Sequence, residues 1–299
     1  MHKFSLYPPP SRPVAMGSNG MVSSAHPLAS MAGIRMLSEG GNAFDAAVAT
    51  AATLNVVEPY MSGVGGIGVA LAHVASEGRI RALNFSGRAP KAAEPDRFTN
   101  LSDNGAHESP ILTSLVPGNL AGWLTLHETY GSVERERLFE TAIKYAEEGF
   151  PITFFNSSMI NGAAEILLKF PNSASIFLKD GKAGPPGTRL KLPDLAKSLR
   201  LIAKDGLETF YRGEIASRIV KGNQNLGGLL TEEDLAEYHA EWQEPISVDY
   251  RDHQVFTTPP NCSSFQVLQT LKLMETFDSP ELSFQHPDTT HNFMEAVKL

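Results

Sequence analysis

One cysteine, Cys262, stands in the whole sequence. That excludes a disulfide framework within the chain and a cysteine-rich zinc site. The nine histidines supply no metal site either, because no two of them stand in H-x-x-x-H or H-E-x-x-H spacing. Basic stripes and basic arms are missing. The net charge is -8, with acids and bases interspersed, so nucleic acid is not the expected main partner. Uninterrupted apolar runs long enough to span a bilayer are also missing. The start, "MHKFSLYPPPSRPVAMGSNG", lacks the apolar core of a secretory leader, so the expectation is a cytoplasmic protein with no membrane partner.

The composition present is that of an ordinary globular protein, 42% hydrophobic and 19% charged. A chain of 299 residues buries roughly three quarters of its unfolded surface, and a single domain over 1–299 is expected. Residues 1–20 are proline-rich and read as an extended arm. Apolar spacing predicts a helix over 26–38, stopped by Gly40-Gly41, then an alanine-rich buried helix from Asn42 as cap to Pro59. "GIGVALAHV" and "RIRALNF" around Ser76-Glu77-Gly78 predict an antiparallel hairpin. Helices follow at "GNLAGWLTLHETYG", "RERLFETAIKYAEEG", "NSSMINGAAEILLKF" and "LPDLAKSLRLIAKDG". Thr231 and Asp234 are spaced close to a capping box. "EPISVDYRDHQVFTTPP" alternates as strands do, and "SSFQVLQTLKLMETF" and "DTTHNFMEAVKL" read as helices. The order is that of a mixed α/β or α+β layer protein, not a βαβ repeat.

Several stretches invite a chemical reading. "GVGGIG" at 63–68 matches G-x-G-x-x-G, but a helix precedes it and a strand follows, the inverse of a dinucleotide site. Its glycines read instead as a turn using positive φ and close backbone packing. Thr289 and Thr290 stand beside His291, yet "HNFMEAVKL" continues at helical spacing. Asp288 or Thr289 therefore reads as an N-cap rather than a nucleophile. Ser62 lacks the residue order of a nucleophile elbow. Cys262 reads as a small buried apolar residue. Arg88, in "LNFSGRAP", ends a strand on a turn. It is either the grip for a substrate carboxylate or a structural partner for an acid such as Glu94 or Asp96.

Taken in series, "NGMVSSAHPLAS", "MLSEGGNAFDAAVATAATLNVVEP", "LNFSGRAP", "VPGNLAGW", "YRGEIASRI", "GGLLTEEDLAEY" and "PPNCSSFQVLQTL" resemble the γ-glutamyltransferase (γ-glutamyltranspeptidase) family from Pro13 to the last residue. The resemblance implies a four-layer αββα N-terminal-nucleophile hydrolase fold, incomplete in this chain. It implies a precursor that cuts itself before a threonine into a large and a small chain. That threonine attacks a γ-glutamyl amide, and water, an amino acid or a peptide takes the acyl group. This sequence corresponds to most of the large chain. The implied partners are a small-molecule γ-glutamyl or acyl-amide substrate and the small chain of the same precursor, with a homo-oligomer left open. No cofactor or metal is implied, and the nucleophile is expected beyond Leu299. In the family the turn reads D-F-R-E-x-A-P, and its arginine grips the substrate α-carboxylate. Ser86 stands at that arginine's place, with Arg88 two residues on. Substrate-binding residues are thus expected at Ser86 and Arg88. The alternatives are an acylase of the same fold, since relatives cleave cephalosporin side chains, and a non-catalytic scaffold.

Overall fold

The side chains of His26, Asn42, Thr153, Thr231 and His286 each cap the start of a helix, and the strands fall between the helices. The computed structural model describes residues 14–98, 110–277 and 286–299. In chain order the elements are helices α1 (Pro27–Ser38) and α2 (Ala43–Val57), the hairpin of β1 (Gly68–Val74) and β2 (Arg79–Phe85), then α3 (Asn119–Tyr130) and α4 (Arg135–Glu148). After β3 (Phe150–Pro151) come α5 (Phe154–Gly162), α6 (Ala164–Leu168), α7 (Pro171–Phe177) and β4 (Arg189–Leu190). They are followed by α8 (Pro193–Asp205), α9 (Leu207–Tyr211), α10 (Glu214–Asn225), α11 (Glu232–Ala236) and β5 (Glu241–Gln243). The hairpin of β6 (Ile246–Tyr250) and β7 (His253–Thr257) and helices α12 (Phe265–Met274) and α13 (Pro287–Lys298) complete the order. The mixed helix and sheet expected from the sequence is present, with small sheets. Of the arm expected over 1–20, residues 1–13 lie outside the described residues, as do His2 and His107. Residues 14–20 carry no helix or strand. No helix of the described residues is long and apolar enough to cross a membrane.

The chain divides into two compact units, residues 1–60 with 131–196 and residues 61–130 with 197–299. In the first, α1 and α4 each pack on α2. Ala46, Ala49 and Ala52 of α2 are buried, as are Leu138, Phe139, Ala142 and Ala146 of α4. Asn42 caps α2 in a full capping box with Asp45. Asp45 does more than cap. Its carboxylate is fully buried and also accepts from Ser132 N at 3.0 Å and Ser132 Oγ at 2.7 Å. Burial, the largest single influence, pushes its pKa up. The Ser132 hydroxyl and the N–H groups of Asn42, Ser132 and Val133 outweigh that and hold it below the usual aspartate range. The helix expected as one piece over "NSSMINGAAEILLKF" is broken at Ala163 into α5 and α6. Gly162 lacks the side chain that would favour carrying the helix through. The caps of α1 and α13 are His26 and His286, whose Nδ1 atoms accept from Leu28 N and Asp288 N at 3.2 and 3.3 Å. This corrects the expected cap at Asp288 or Thr289: Pro287 occupies the first helical position and sets the cap two residues before Asp288.

In the second unit the sheet order is β1-β2-β5, all antiparallel, with Val69 opposite Asn84 and Asn84 opposite Glu241. Helix α3 packs on β2 and β1. The contact is close because glycine faces the ring of Phe85: a Cβ at Gly122 would fall inside the van der Waals shell of that ring, and one at Gly118 inside that of the Phe85 carbonyl. Tyr211, buried, locks the start of α3 by donating from Oη to Pro117 O at 2.9 Å and accepting from Ala121 N at 3.1 Å. In the other hairpin, β6 and β7 pair from Ile246–Thr257 to Tyr250–His253, and α12 lies against both strands.

Asp45 yields a stability prediction. Its folded pKa is depressed, so its contribution is complete above the unfolded value of about 4 and is lost as pH falls through the folded value. Asp45→Ala should cost about 3 kcal/mol at pH 7 by denaturant titration, and the difference from the parent chain should shrink toward pH 2. A pH-independent difference would assign the loss to packing instead.

Candidate functional site

Strand β2 delivers the chain to a turn at residues 86–90, and remote segments of the second unit close on it. The first contact is a ring of three neutral side chains. Ser86 Oγ donates to Asn84 Oδ1 at 2.7 Å, Asn84 Nδ2 to Asn261 Oδ1 at 3.1 Å, and Asn261 Nδ2 to Ser86 Oγ at 2.8 Å. Each member both donates and accepts, so the ring is self-satisfied. Ser86 N also donates to Asn84 Oδ1 at 3.0 Å.

Gly87 then turns the chain at φ +80. A Cβ there would lie 2.8 Å from Ile67 Cγ2 and from Val116 O, so both backbone angle and space require glycine. Its N–H donates to Tyr238 Oη at 3.2 Å, and the Arg88 carbonyl accepts from Val116 N at 2.8 Å. Tyr238 stacks on Tyr211 with ring centroids 5.8 Å apart. Burial raises its pKa, so the phenol stays neutral and can serve as acceptor for Gly87.

Arg88 emerges from this turn with its guanidinium 6.0 Å from the Tyr238 ring centroid. Its Nη2 donates to Oε1 of Glu241, on β5. The two side chains are 49% and 45% exposed, and His239 Nε2 lies 3.5 Å from the same carboxylate oxygen. The acids near Arg88 in sequence, Glu94 and Asp96, are not its ion-pair partners; Glu241, 153 residues on, is. Farther along, Lys91 N donates to Asp234 Oδ1 at 2.9 Å, and Lys91 Nζ pairs with Glu233 and Glu237. Asp234 closes the capping box with Thr231. Its carboxyl is held low because N–H and hydroxyl donors outweigh burial.

Four of the stretches that carry the resemblance thus meet at one turn: "LNFSGRAP", "VPGNLAGW", "GGLLTEEDLAEY" and "PPNCSSFQVLQTL". The model of the family described as gamma-glutamyltranspeptidase matches residues 29–299. The chain belongs to the γ-glutamyltranspeptidase family. It is 38% identical over 285 residues to the glutathione hydrolase-like YwrD proenzyme of Bacillus subtilis (strain 168), covering 95% of this chain and 54% of that protein. The crystal structure of Helicobacter pylori γ-glutamyltranspeptidase superposes with a TM-score of 0.89 at 34% identity, covering 96% of this chain and 83% of that one. The cephalosporin acylase of Bacillus halodurans superposes with a TM-score of 0.85 at 35% identity, covering 98% of this chain and 55% of that one. The chain spans about half the length of the curated relatives it matches. Its fold is that of the N-terminal-nucleophile hydrolases, as the resemblance implied.

Other sequence candidates fall elsewhere in the chain. Thr289 and Thr290 lie within α13, and Thr290 caps back onto His286 O. The "GVGGIG" turn runs from a helix into β1, as its order required. Gly66 O accepts from the N–H groups of Gly118 and Asn119 at 2.9 Å each, which occupies donors at the start of α3. None of its glycines has positive φ, so that part of the expectation is corrected: close approach is the reason for glycine, with Gly66 against Asn119 and Gly68 against Phe85. Cys262 is half-buried rather than buried, with hydroxyls of Thr258 and Ser264 at 2.9 and 2.8 Å. Burial, the largest single influence, raises its pKa, but these hydroxyls together with backbone N–H groups bring it below the ordinary thiol value. Among the described residues no group of three His, Cys, Asp or Glu is placed to hold a metal.

The residues that sequence reasoning missed are Asn84, Tyr238, Glu241 and Asn261. All four lie in or beside family-like stretches, which was the available signal. A half-exposed pair gains little in water. A double-mutant cycle on Arg88→Ala and Glu241→Ala, read by denaturant titration, should return a coupling below about 1 kcal/mol that falls in 0.5 M (roughly) salt. A larger, salt-insensitive coupling would make the pair a structural tie.

Proposed function

We propose that this chain is the large-chain part of a γ-glutamyltransferase-type hydrolase acting on γ-glutamyl amides of the glutathione kind. A self-processed threonine on a partner small chain is the nucleophile. The observation that supports this most is the continuous family match over residues 29–299, together with the superposition on the Helicobacter pylori transpeptidase. The proenzyme names of the relatives accord with a two-chain product of one precursor. In this reading the turn after β2 presents Arg88 to the substrate carboxylate, a match of planar fork to carboxylate. Ser86, in its ring with Asn84 and Asn261, forms the neutral floor beside it.

A second reading has a specific observation in its favour. The ring leaves Ser86 where the family pattern puts its carboxylate-gripping arginine, and the acylase of Bacillus halodurans superposes over 98% of this chain. An acylase with a non-glutamyl acyl group follows from that. One experiment separates the readings. The complete, processed protein is assayed on γ-glutamyl-p-nitroanilide and on a cephalosporin side-chain amide. The first reading expects turnover of the γ-glutamyl substrate, with Arg88→Ala raising KM and removing ~2 kcal/mol from kcat/KM. Residues 1–299 alone should turn over neither. Selective cleavage of the cephalosporin amide, unaffected by Arg88→Ala, would establish the acylase instead.

A further inference from the structure

We propose that the first unit carries a binding site for an amphipathic organic anion, a carboxylate with an apolar body, in the cavity between α7, the loop 178–188 and β4. The site goes beyond the proposed activity and does not depend on it.

Three observations carry it. First, the cavity is roomy and has apolar walls. Its volume is about 510 Å³, within the range of about 300–1,000 Å³ common for small-molecule sites. Ile152 and Ile160 line it from the buried core, and the half-buried Phe177 and Leu190 add to the wall. Ile176 lines it too and is left 46% exposed.

Second, its charge is of one sign. Lys179, Arg189 and Lys191 line the cavity and no Asp or Glu does, in a chain whose net charge is -8. Arg189 is held in place by Gly149 O, which accepts from its Nη1 at 2.8 Å. Lys179 and Lys191 have no ion-pair partner among the described residues. Lys179 is also set opposite a like charge. It pairs with Lys182, backbone to backbone at 2.8 and 3.1 Å, around Asp180-Gly181, both of which take positive φ. Like charges directly opposite repel, and an anion beside Lys179 relieves that repulsion.

Third, the walls are already built. Ala183 N donates to Asn161 Oδ1 at 2.9 Å and Ser157 Oγ to Gly184 O at 2.8 Å, which ties the loop to α5. Gly187 N donates to Ile152 O at 2.8 Å, and Ile152 N to Thr188 O at 2.9 Å. A ligand meets a shaped loop and does not bear the cost of ordering it.

These features select by exclusion. A small inorganic anion meets only water-exposed cations, a weak attraction. A cationic amphiphile fits the apolar wall but is repelled by three like charges. An anionic amphiphile meets opposite charge at one end and buries methylenes at the other. A second, smaller cavity of about 80 Å³, lined by Tyr60, Met159 and Leu167 among others, shares Ile160 and Phe177 with the first. Phe177 therefore stands between the two and limits the length of apolar body the site takes.

The test is calorimetry on the complete, processed protein with octanoate, decanoate, octylammonium, octan-1-ol and inorganic phosphate. Octanoate should bind saturably at one site, with octylammonium and phosphate about tenfold weaker or worse. Lys179→Gln combined with Lys191→Gln should weaken octanoate about tenfold and leave octan-1-ol unchanged, because two exposed cations are lost and no apolar wall is. Ile176→Asn, an exposed substitution, should weaken octanoate and octan-1-ol alike. Phe177→Ala should shift preference toward decanoate by about threefold or more, since it opens the smaller cavity to the chain. Thermal unfolding of the lysine and Ile176 variants within a degree or two of the parent shows that their folds are intact. Absence of saturable octanoate binding overturns the site, and so does octylammonium binding as tightly as octanoate. Octanoate binding that ignores the lysine pair overturns it as well, because the anion is then held elsewhere. An unchanged chain-length preference in a folded Phe177→Ala overturns the placement of the apolar body. None of these readouts uses turnover, so their failure is separate from failure of the proposed function.

Discussion

The ring of Phe85 is the fixed point of the second unit. It ends β2, and small residues surround it: Gly118 and Gly122 on the side of α3 and Gly68 across the hairpin. A side chain at any of them would collide with the ring or its carbonyl. Helix α3 can therefore lie closer to the strand than side-chain-bearing helices do, typically 8–10 Å between axes when helices pack on each other. That approach brings Gly118 and Val116 to the turn that follows Phe85. The Arg88 carbonyl then finds its donor in Val116. Without the glycines the helix would lift, the donor would be lost, and the turn that carries Arg88 would have no reason to hold one shape.

Buried carboxylates do a second job of the same kind in each unit. Asp45 and Asp234 each close a capping box, a local device. Each also accepts from a segment far away in sequence, Ser132 for Asp45 and Lys91 N for Asp234. Neither depends on a buried cation for this. Backbone N–H and hydroxyl donors satisfy the charge, and both carboxyls titrate below their usual range despite burial. The arrangement stitches a loop to a helix start without the desolvation of a second ion.

These stitches also mark what was legible beforehand. The Thr231–Asp234 box, the Asn42 cap and the hairpin at 68–85 could be read from spacing, because their partners lie within four residues or across one short turn. The partners of the site could not. Arg88 and Glu241 are 153 residues apart, and Ser86 and Asn261 are 175 apart. Sequence proximity suggested Glu94 or Asp96 for Arg88, but the strand pairing that brings β5 to β2 decides the matter. The histidine caps were missed for a different reason. A His-Pro pair puts Pro at the first helical position and leaves the imidazole to accept from two residues on, a weaker signature than Ser, Thr, Asp or Asn.

The site combines two kinds of polar group with opposite mechanical character. The Ser86–Asn84–Asn261 ring is neutral and ties two chain segments together through three hydrogen bonds that need no charge. It is a rigid element. The Arg88–Glu241 pair is charged and half-exposed, with each member anchored by its own backbone. It is an element that solvent or a charged ligand can open at little cost. Where the family pattern places a single arginine, this chain has a rigid neutral surface beside a separable ion pair. A lone arginine attracts any carboxylate by its net charge. A separable pair has no net charge to offer.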